Sequence, residues 1–129
     1  MTRQAVSTTG APGAVGPYSQ AIVTDDLVFC SGQVGLDPAT GELVSGGVEA
    51  EAMRVIRNLE AVLDAAGCTL ADVVKTTCFL ADINDFTAFN GVYGRFMTDP
   101  PPARSTFQVA ALPGGARVEI EAIAVRNRT

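Results

Sequence analysis

The stretch from Val48 to Ala66 does most to limit what this chain can become. Apolar residues fall at Val48, Ala52, Val55, Ile56, Leu59, Val62, Leu63 and Ala66, three or four apart, while Glu49, Glu51, Arg54, Arg57 and Glu60 mostly take other directions. This is the pattern of one amphipathic helix with a single apolar stripe, and Gly67 supplies the residue that closes it. Such a helix needs an apolar surface to lie on, and its neighbours in sequence supply strands. "YSQAIVTDDLVFCSGQVG" reads as two strands meeting in a tight connection at Asp25 and Asp26. "DPATGEL" reads as an irregular turn before a short strand near Leu43 and Val44, and "ADVVKTTCFLAD" as a strand over 73–80.

Asp82 or Asn84 then caps a second helix, whose Phe86, Phe89, Tyr93, Phe96 and Met97 recur at helical spacing and read as core packing. Three consecutive prolines, Pro100 to Pro102, end it and deliver Arg104 into a stiff strand entrance, because proline fixes φ and removes the backbone donor. "ARSTFQVA" makes that strand, "LPGG" a turn and "ARVEIEAIAV" the last strand. Ahead of all this lies a Gly/Pro-rich leader with no regular element expected in it. Strands interleaved with only two helices predict an α+β layer, a mixed sheet with both helices on one face, in a single domain over 1–129.

Alternation in the last strand puts Val118, Ile120, Ala122 and Ala124 on the helix-covered face. Arg117, Glu119, Glu121, Ile123 and Val125 then take the other face. Two glutamates beside Ile123 and Val125 suit a subunit contact better than open water. The same reasoning splits the preceding strand into Ser105, Phe107, Val109 and Arg104, Thr106, Gln108, and places Arg104 with Glu119 on the helix-free face. If the two strands pair across the short turn, the two residues lie at opposite ends of the hairpin; both can still line one site, with subunit contacts supplying the missing proximity.

Composition narrows the function. Charged residues are 18% of the chain, below the roughly 25% usual for soluble proteins, which points to surface hidden in a homo-oligomer. The net charge of −5 and the absence of any Lys/Arg cluster argue against nucleic acid as the principal ligand. No segment approaches the length of a membrane span and the first residues lack a signal-peptide core, so a cytoplasmic protein is expected. Cys30, Cys68 and Cys78 follow no metal or disulfide spacing and read as buried thiols. There is no histidine, which removes Ser-His and Cys-His nucleophiles and the usual imidazole ligands. Chemistry here must run on carboxylate, guanidinium, hydroxyl or backbone groups, with no metal.

Four segments, "GPYSQA", "FCSGQVG", "FLADINDFTAFNGVYGRF" and "PPARSTFQVAALPGGARVEIEAIAV", together resemble the RidA/YjgF family of reactive-intermediate deaminases, from Gly16 to Val125. The resemblance implies a chorismate-mutase-like α+β subunit in a homotrimer with a central barrel and clefts at the subunit interfaces. It also implies hydrolysis of enamines and imines such as 2-aminoacrylate and 2-iminobutyrate to 2-oxo acids and ammonia. By the same similarity Arg104 holds the substrate carboxylate, Glu119 positions the attacking water, and the Gly32 N–H is a second carboxylate donor beside Ser31. Tyr18 and Asn90 match positions near the cleft. Thr106 departs from the family, many of whose members carry cysteine there, so thiol chemistry at that position is unavailable.

A guanidinium fork suits a carboxylate through two parallel charge-assisted bonds, and an iminium carbon is already electrophilic, so no cofactor is called for. A glutamate held near that arginine is expected to stay ionised. Two other readings remain. One is a non-catalytic trimer that binds a small carboxylate or regulates a partner; the other is an endoribonuclease or translation inhibitor, which the acidic charge disfavours.

Overall fold

A computed structural model describes residues 2–126. Its strands are β1 (Arg3–Val6), β2 (Ala21–Thr24), β3 (Leu27–Val34), β4 (Val73–Leu80), β5 (Ala103–Gln108) and β6 (Val118–Val125). Its helices are α1 (Gly47–Ala65) and α2 (Phe86–Phe96). The six strands form one sheet in the order β1-β2-β3-β6-β4-β5. All neighbours are antiparallel except β4 and β5, which the α2 crossover makes parallel. The expected α+β mixed sheet with two helices is therefore present. Among the described residues no helix is long and apolar enough to cross a membrane.

The α1 stripe lies on the sheet as its periodicity requires: Ala52, Val55, Ile56, Leu59, Val62 and Leu63 pack into one core with Val28, Leu80, Val118, Ile120 and Ala124. The helix closes with Gly67 N–H on the Asp64 carbonyl (3.0 Å) and Cys68 N–H on the Leu63 carbonyl (2.8 Å), with Gly67 at φ +83°. Asn58 is fully buried in α1, yet it donates to the carbonyls of Val34 (3.3 Å) and Leu36 (2.9 Å) and ties the end of β3 to the helix. Asp82 caps a single 3-10 turn over Ile83–Asp85, which runs into α2. Phe89 and Tyr93 are buried as expected, and Phe86, Phe96 and Met97 pack against the core from its margin.

Four expectations change. The leader contains β1, which pairs with β2; its short "RQAV" carries too little alternation to register as a strand. The strand near Leu43 and Val44 reduces to an isolated bridge, Leu36 to Leu43. The last two strands are not a hairpin, since β4 lies between β5 and β6. Finally, the faces of β5 are the reverse of those expected. Arg104 and Thr106 align with Thr76 and Cys78, both buried on the helix side, while Phe107 points to the helix-free face and meets Phe79 edge-on at 5.3 Å. The physical reason is the outer position of β5. An edge strand has a neighbour on one side only, so its larger apolar residue need not face the helices, and the aromatic residues of α2 receive the guanidinium stem instead.

Candidate active site

Arg104 is half-buried on β5 under α2. Its guanidinium carbon lies 4.7 Å from the centre of the Tyr93 ring, 5.6 Å from Phe86 and 5.8 Å from Phe89. Its Nη1 donates to Asn90 Oδ1 at 2.8 Å. Three rings and one amide therefore fix the fork, leaving other N–H groups to spare. Among the described residues the ion pairs are Arg57–Glu60 and Arg117–Glu51, and no carboxylate closes on Arg104.

Beside the guanidinium, the Tyr93 hydroxyl and Thr76 Oγ1 share a hydrogen bond of 2.7 Å inside the core. Thr106, on the same face as Arg104, has a buried Oγ1 with no hydrogen-bond partner among the described residues. Thr106 pairs on β4 with Cys78, whose thiol is buried. Burial pushes that thiol up to about 11, and the Thr76 hydroxyl, the Arg104 charge and the Thr106 hydroxyl offset it only partly, so Cys78 is not a nucleophile at neutral pH.

The second cluster is on β3 and β6. Cys30 pairs with Ala122 and Gln33 with Ile120, so Ser31 and Gly32 together oppose one residue and bulge out of the ladder. Ser31 is pinned to the leader through its Oγ on the Ser19 carbonyl (2.6 Å) and its N–H on the Gln20 carbonyl (3.0 Å). The buried Gln20 amide holds the leader in turn, donating to Pro12 (2.8 Å) and accepting from Thr8 N–H (2.7 Å). At Gly32 a Cβ would overlap the Glu119 carboxylate, whose carbon would be only 2.9 Å away, so a side chain there would have to displace that flexible group.

Burial, and then the like charge of Glu121, raises the pKa of Glu119 above the ordinary carboxylate value. The expectation that Arg104 holds this glutamate ionised fails within one protomer. Cys30, pushed up to about 12 by burial and then by the neighbouring Cys68, is likewise inert. Tyr18 is 50% exposed. With Ser7, Thr8, Ser19 and Gln20 it lines a 490 Å³ cavity that includes neither Arg104 nor Glu119.

The fold thus brings Arg104, Asn90 and Thr106 together, and separately Gly32, Ser31 and Glu119. It does not bring the two groups together. Glu119 aligns with Phe79 and so with Phe107, two strands away and three residues along from Arg104. That separates the two backbones by about 14 Å, and their side chains leave opposite faces of the sheet. The surroundings of Arg104 include residues that sequence reasoning assigned to packing alone. Tyr93 and Phe89 were visible only as a core stripe, and Thr76 gave no signal because its neighbour is set by the β4–β5 pairing.

Among the described residues no group of His, Cys, Asp and Glu is arranged to hold a metal ion. The family model described as endoribonuclease L-PSP matches residues 8–126. The human 2-iminobutanoate/2-iminopropanoate deaminase is 52% identical over 127 residues, covering 98% of this chain and 93% of its own. The crystal structure of RidA from an Antarctic Psychrobacter superposes with a TM-score of 0.92 at 47% identity, covering 95% of this chain and 98% of the other. E. coli TdcF with bound serine superposes with a TM-score of 0.91 at 42% identity, covering 96% and 99%.

Proposed function

The chain belongs to the endoribonuclease L-PSP family, the RidA/YjgF group, and from that premise we propose that it hydrolyses reactive 2-imino acids and their enamine tautomers to 2-oxo acids and ammonia. One observation carries the assignment to a site: Arg104 is half-buried, aimed by Asn90 and three aromatic rings, and has no carboxylate partner among the described residues. An arginine taken out of water without a counter-ion is suited to an anionic ligand. The substrate carboxylate is that anion, and serine, an amino acid with a carboxylate of its own, is what the TdcF crystal holds.

In the reaction, water adds to the iminium carbon, the C–N bond of the resulting carbinolamine breaks, and ammonia leaves with the 2-oxo acid. Arg104 orients the carboxylate, with Thr106 Oγ1 and Asn90 beside it. The bulge at Ser31 and Gly32 offers a backbone N–H, Tyr18 borders the cleft, and Glu119 orients the water and relays its proton. No cofactor takes part. Because the two clusters leave opposite faces of the sheet, the cleft joins Arg104 of one copy to Glu119 of the next, in a homotrimer whose helix-free faces form a central barrel. Half-exposed Leu27, Phe29, Phe107 and Val125 on that face, and the unpaired outer edge of β5, support burial against further copies. The whole chain acts as one such domain, and three free, buried cysteines suit a reducing, cytoplasmic setting.

The test couples a serine or threonine dehydratase to the protein and follows 2-oxo acid and ammonia release. Acceleration over the spontaneous rate is expected; unchanged ammonia release with intact 2-oxobutyrate binding would favour a carboxylate-binding trimer without chemistry. The separation of Arg104 from Glu119 in one protomer is the observation that keeps this second reading open.

A further inference from the structure

Tyr93 stands out because its hydroxyl has no obvious packing purpose. A core stripe on α2 is served as well by phenylalanine, and burying a hydroxyl is costly unless it is bonded. Tyr93 solves this with Thr76 Oγ1 at 2.7 Å, both residues being almost fully buried. Thr76 is the residue on β4 that aligns with Arg104 on β5. The tyrosine ring is also the nearest of the three to the guanidinium, at 4.7 Å against 5.6 and 5.8 Å. A hydrogen bond between the helix and the strand beside Arg104 thus fixes the tilt and height of the ring on which the guanidinium rests.

We infer that Tyr93 is a positioning residue for Arg104. Its ring is the platform that holds the guanidinium plane, and the Tyr93–Thr76 hydroxyl pair is the tether that sets the platform. Asn90 fixes one edge of the fork and Tyr93 its face, so the free N–H groups point one way before any ligand arrives. This rests on the carboxylate-binding reading of Arg104 and adds to it the element that prepares the fork. Tyr93 touches no reacting atom. Its effect passes through Arg104 and is expected to be uniform binding, raising KM while leaving kcat nearly unchanged.

The experiment measures 2-oxobutyrate affinity by calorimetry and KM and kcat in the coupled assay, with melting temperature alongside. Tyr93→Leu removes platform and tether and should weaken 2-oxobutyrate binding about three- to thirtyfold, the range for a partly desolvated cation–π contact. Tyr93→Phe keeps the ring and should recover most of that loss. Thr76→Val should match Tyr93→Phe, and the two together should be no worse than either, because both delete the same bond. In an Arg104→Lys background Tyr93→Leu should cost clearly less than it does in the wild type, since the planar fork it positions is gone.

A folded Tyr93→Leu protein with wild-type affinity overturns the inference, as does an equal loss in the Arg104→Lys background, which marks general disruption. If Tyr93→Leu does not fold, Tyr93→Phe and Thr76→Val decide the matter: each should weaken 2-oxobutyrate binding about twofold by freeing the ring, and wild-type affinity in both overturns the inference. Wild-type protein that neither binds 2-oxobutyrate nor hydrolyses the imine removes the underlying reading of Arg104, a distinct failure that takes the inference with it.

Discussion

The Arg104 cluster and the Glu119 cluster differ in how complete each is within one chain. Around Arg104, β5, β4 and α2 supply three rings, an amide and two hydroxyls, and the guanidinium is aimed before any ligand arrives. Around Glu119 there is a bulge, a glycine that makes room, and a second carboxylate that opposes ionisation. One cluster holds a cation without an anion; the other holds an anion poorly supplied with cations. Each lacks what the other has, and the sheet keeps them apart, so the proposed reaction requires a second copy of the chain to bring the two together.

The largest effect expected is at Arg104, because it is the prepared half. Arg104→Ala should lower 2-oxobutyrate affinity by about a hundredfold or more and abolish imine hydrolysis, as two charge-assisted bonds are lost together. Arg104→Lys should restore little, because a point charge cannot reproduce the fork and rests differently on the Tyr93 ring. Calorimetry and the coupled assay measure both. Wild-type affinity in Arg104→Ala would reduce that cluster to packing and end the comparison.

Glu119→Gln should lower turnover by about 10²- to 10⁴-fold, the range for a general base, while 2-oxobutyrate binds normally. It also sharpens the comparison when mixed with Arg104→Ala. Neither variant alone has an intact cleft. In the proposed homotrimer, assembled from equal amounts of both, about a quarter of the interfaces would pair an unaltered Arg104 from one copy with an unaltered Glu119 from the next. Co-refolded mixtures should therefore regain activity on that order, and a mixture as inactive as its components would show that the clusters do not meet across an interface.

Gly32→Ala has a smaller, local effect. The new methyl displaces the Glu119 carboxylate, so turnover should fall about tenfold with 2-oxobutyrate affinity held, and the melting temperature should drop by a few degrees. Gly32→Ala combined with Glu119→Ala should regain the melting temperature but not the turnover. Recovery of both would mean that Glu119 only fills space beside the bulge.

The same contrast governs what could be read from the sequence. Periodicity fixes an element and its buried face when one side is apolar throughout, so α1, β4 and the inward set Val118, Ile120, Ala122 and Ala124 were legible. It fails on β5, where Arg104, Ser105, Thr106 and Gln108 leave too weak an alternation to fix a face, and where the answer depends on β4 intervening between two strands that are adjacent in sequence. Arg104 and Glu119 could be named from local pattern and resemblance. That they leave opposite faces could not, because it follows from a strand order set by the α2 crossover. Tyr93 was seen as a core residue and is one; its contact with Arg104 needs the three-dimensional register of helix, strand and strand.

The smallest effect concerns Glu119 alone. Its pKa in the folded protein lies above the ordinary 4.5, through burial and then through Glu121. The folded state therefore binds that proton more tightly than the unfolded chain. The stabilisation this gives is fully present below about pH 4.5 and is lost as pH rises through the folded value. At neutral pH the ionised carboxylate costs stability relative to a neutral group of the same shape. Glu119→Gln should accordingly melt slightly higher than wild type at pH 7, with the gap closing as pH falls below the carboxylate range. A gap that does not change with pH would mean that packing rather than charge separates the two proteins. A reversed gap, with wild type the more stable at pH 7, would mean that a cation faces Glu119 in the assembled protein, and in the proposed cleft the nearest candidate is Arg104 of the adjoining copy.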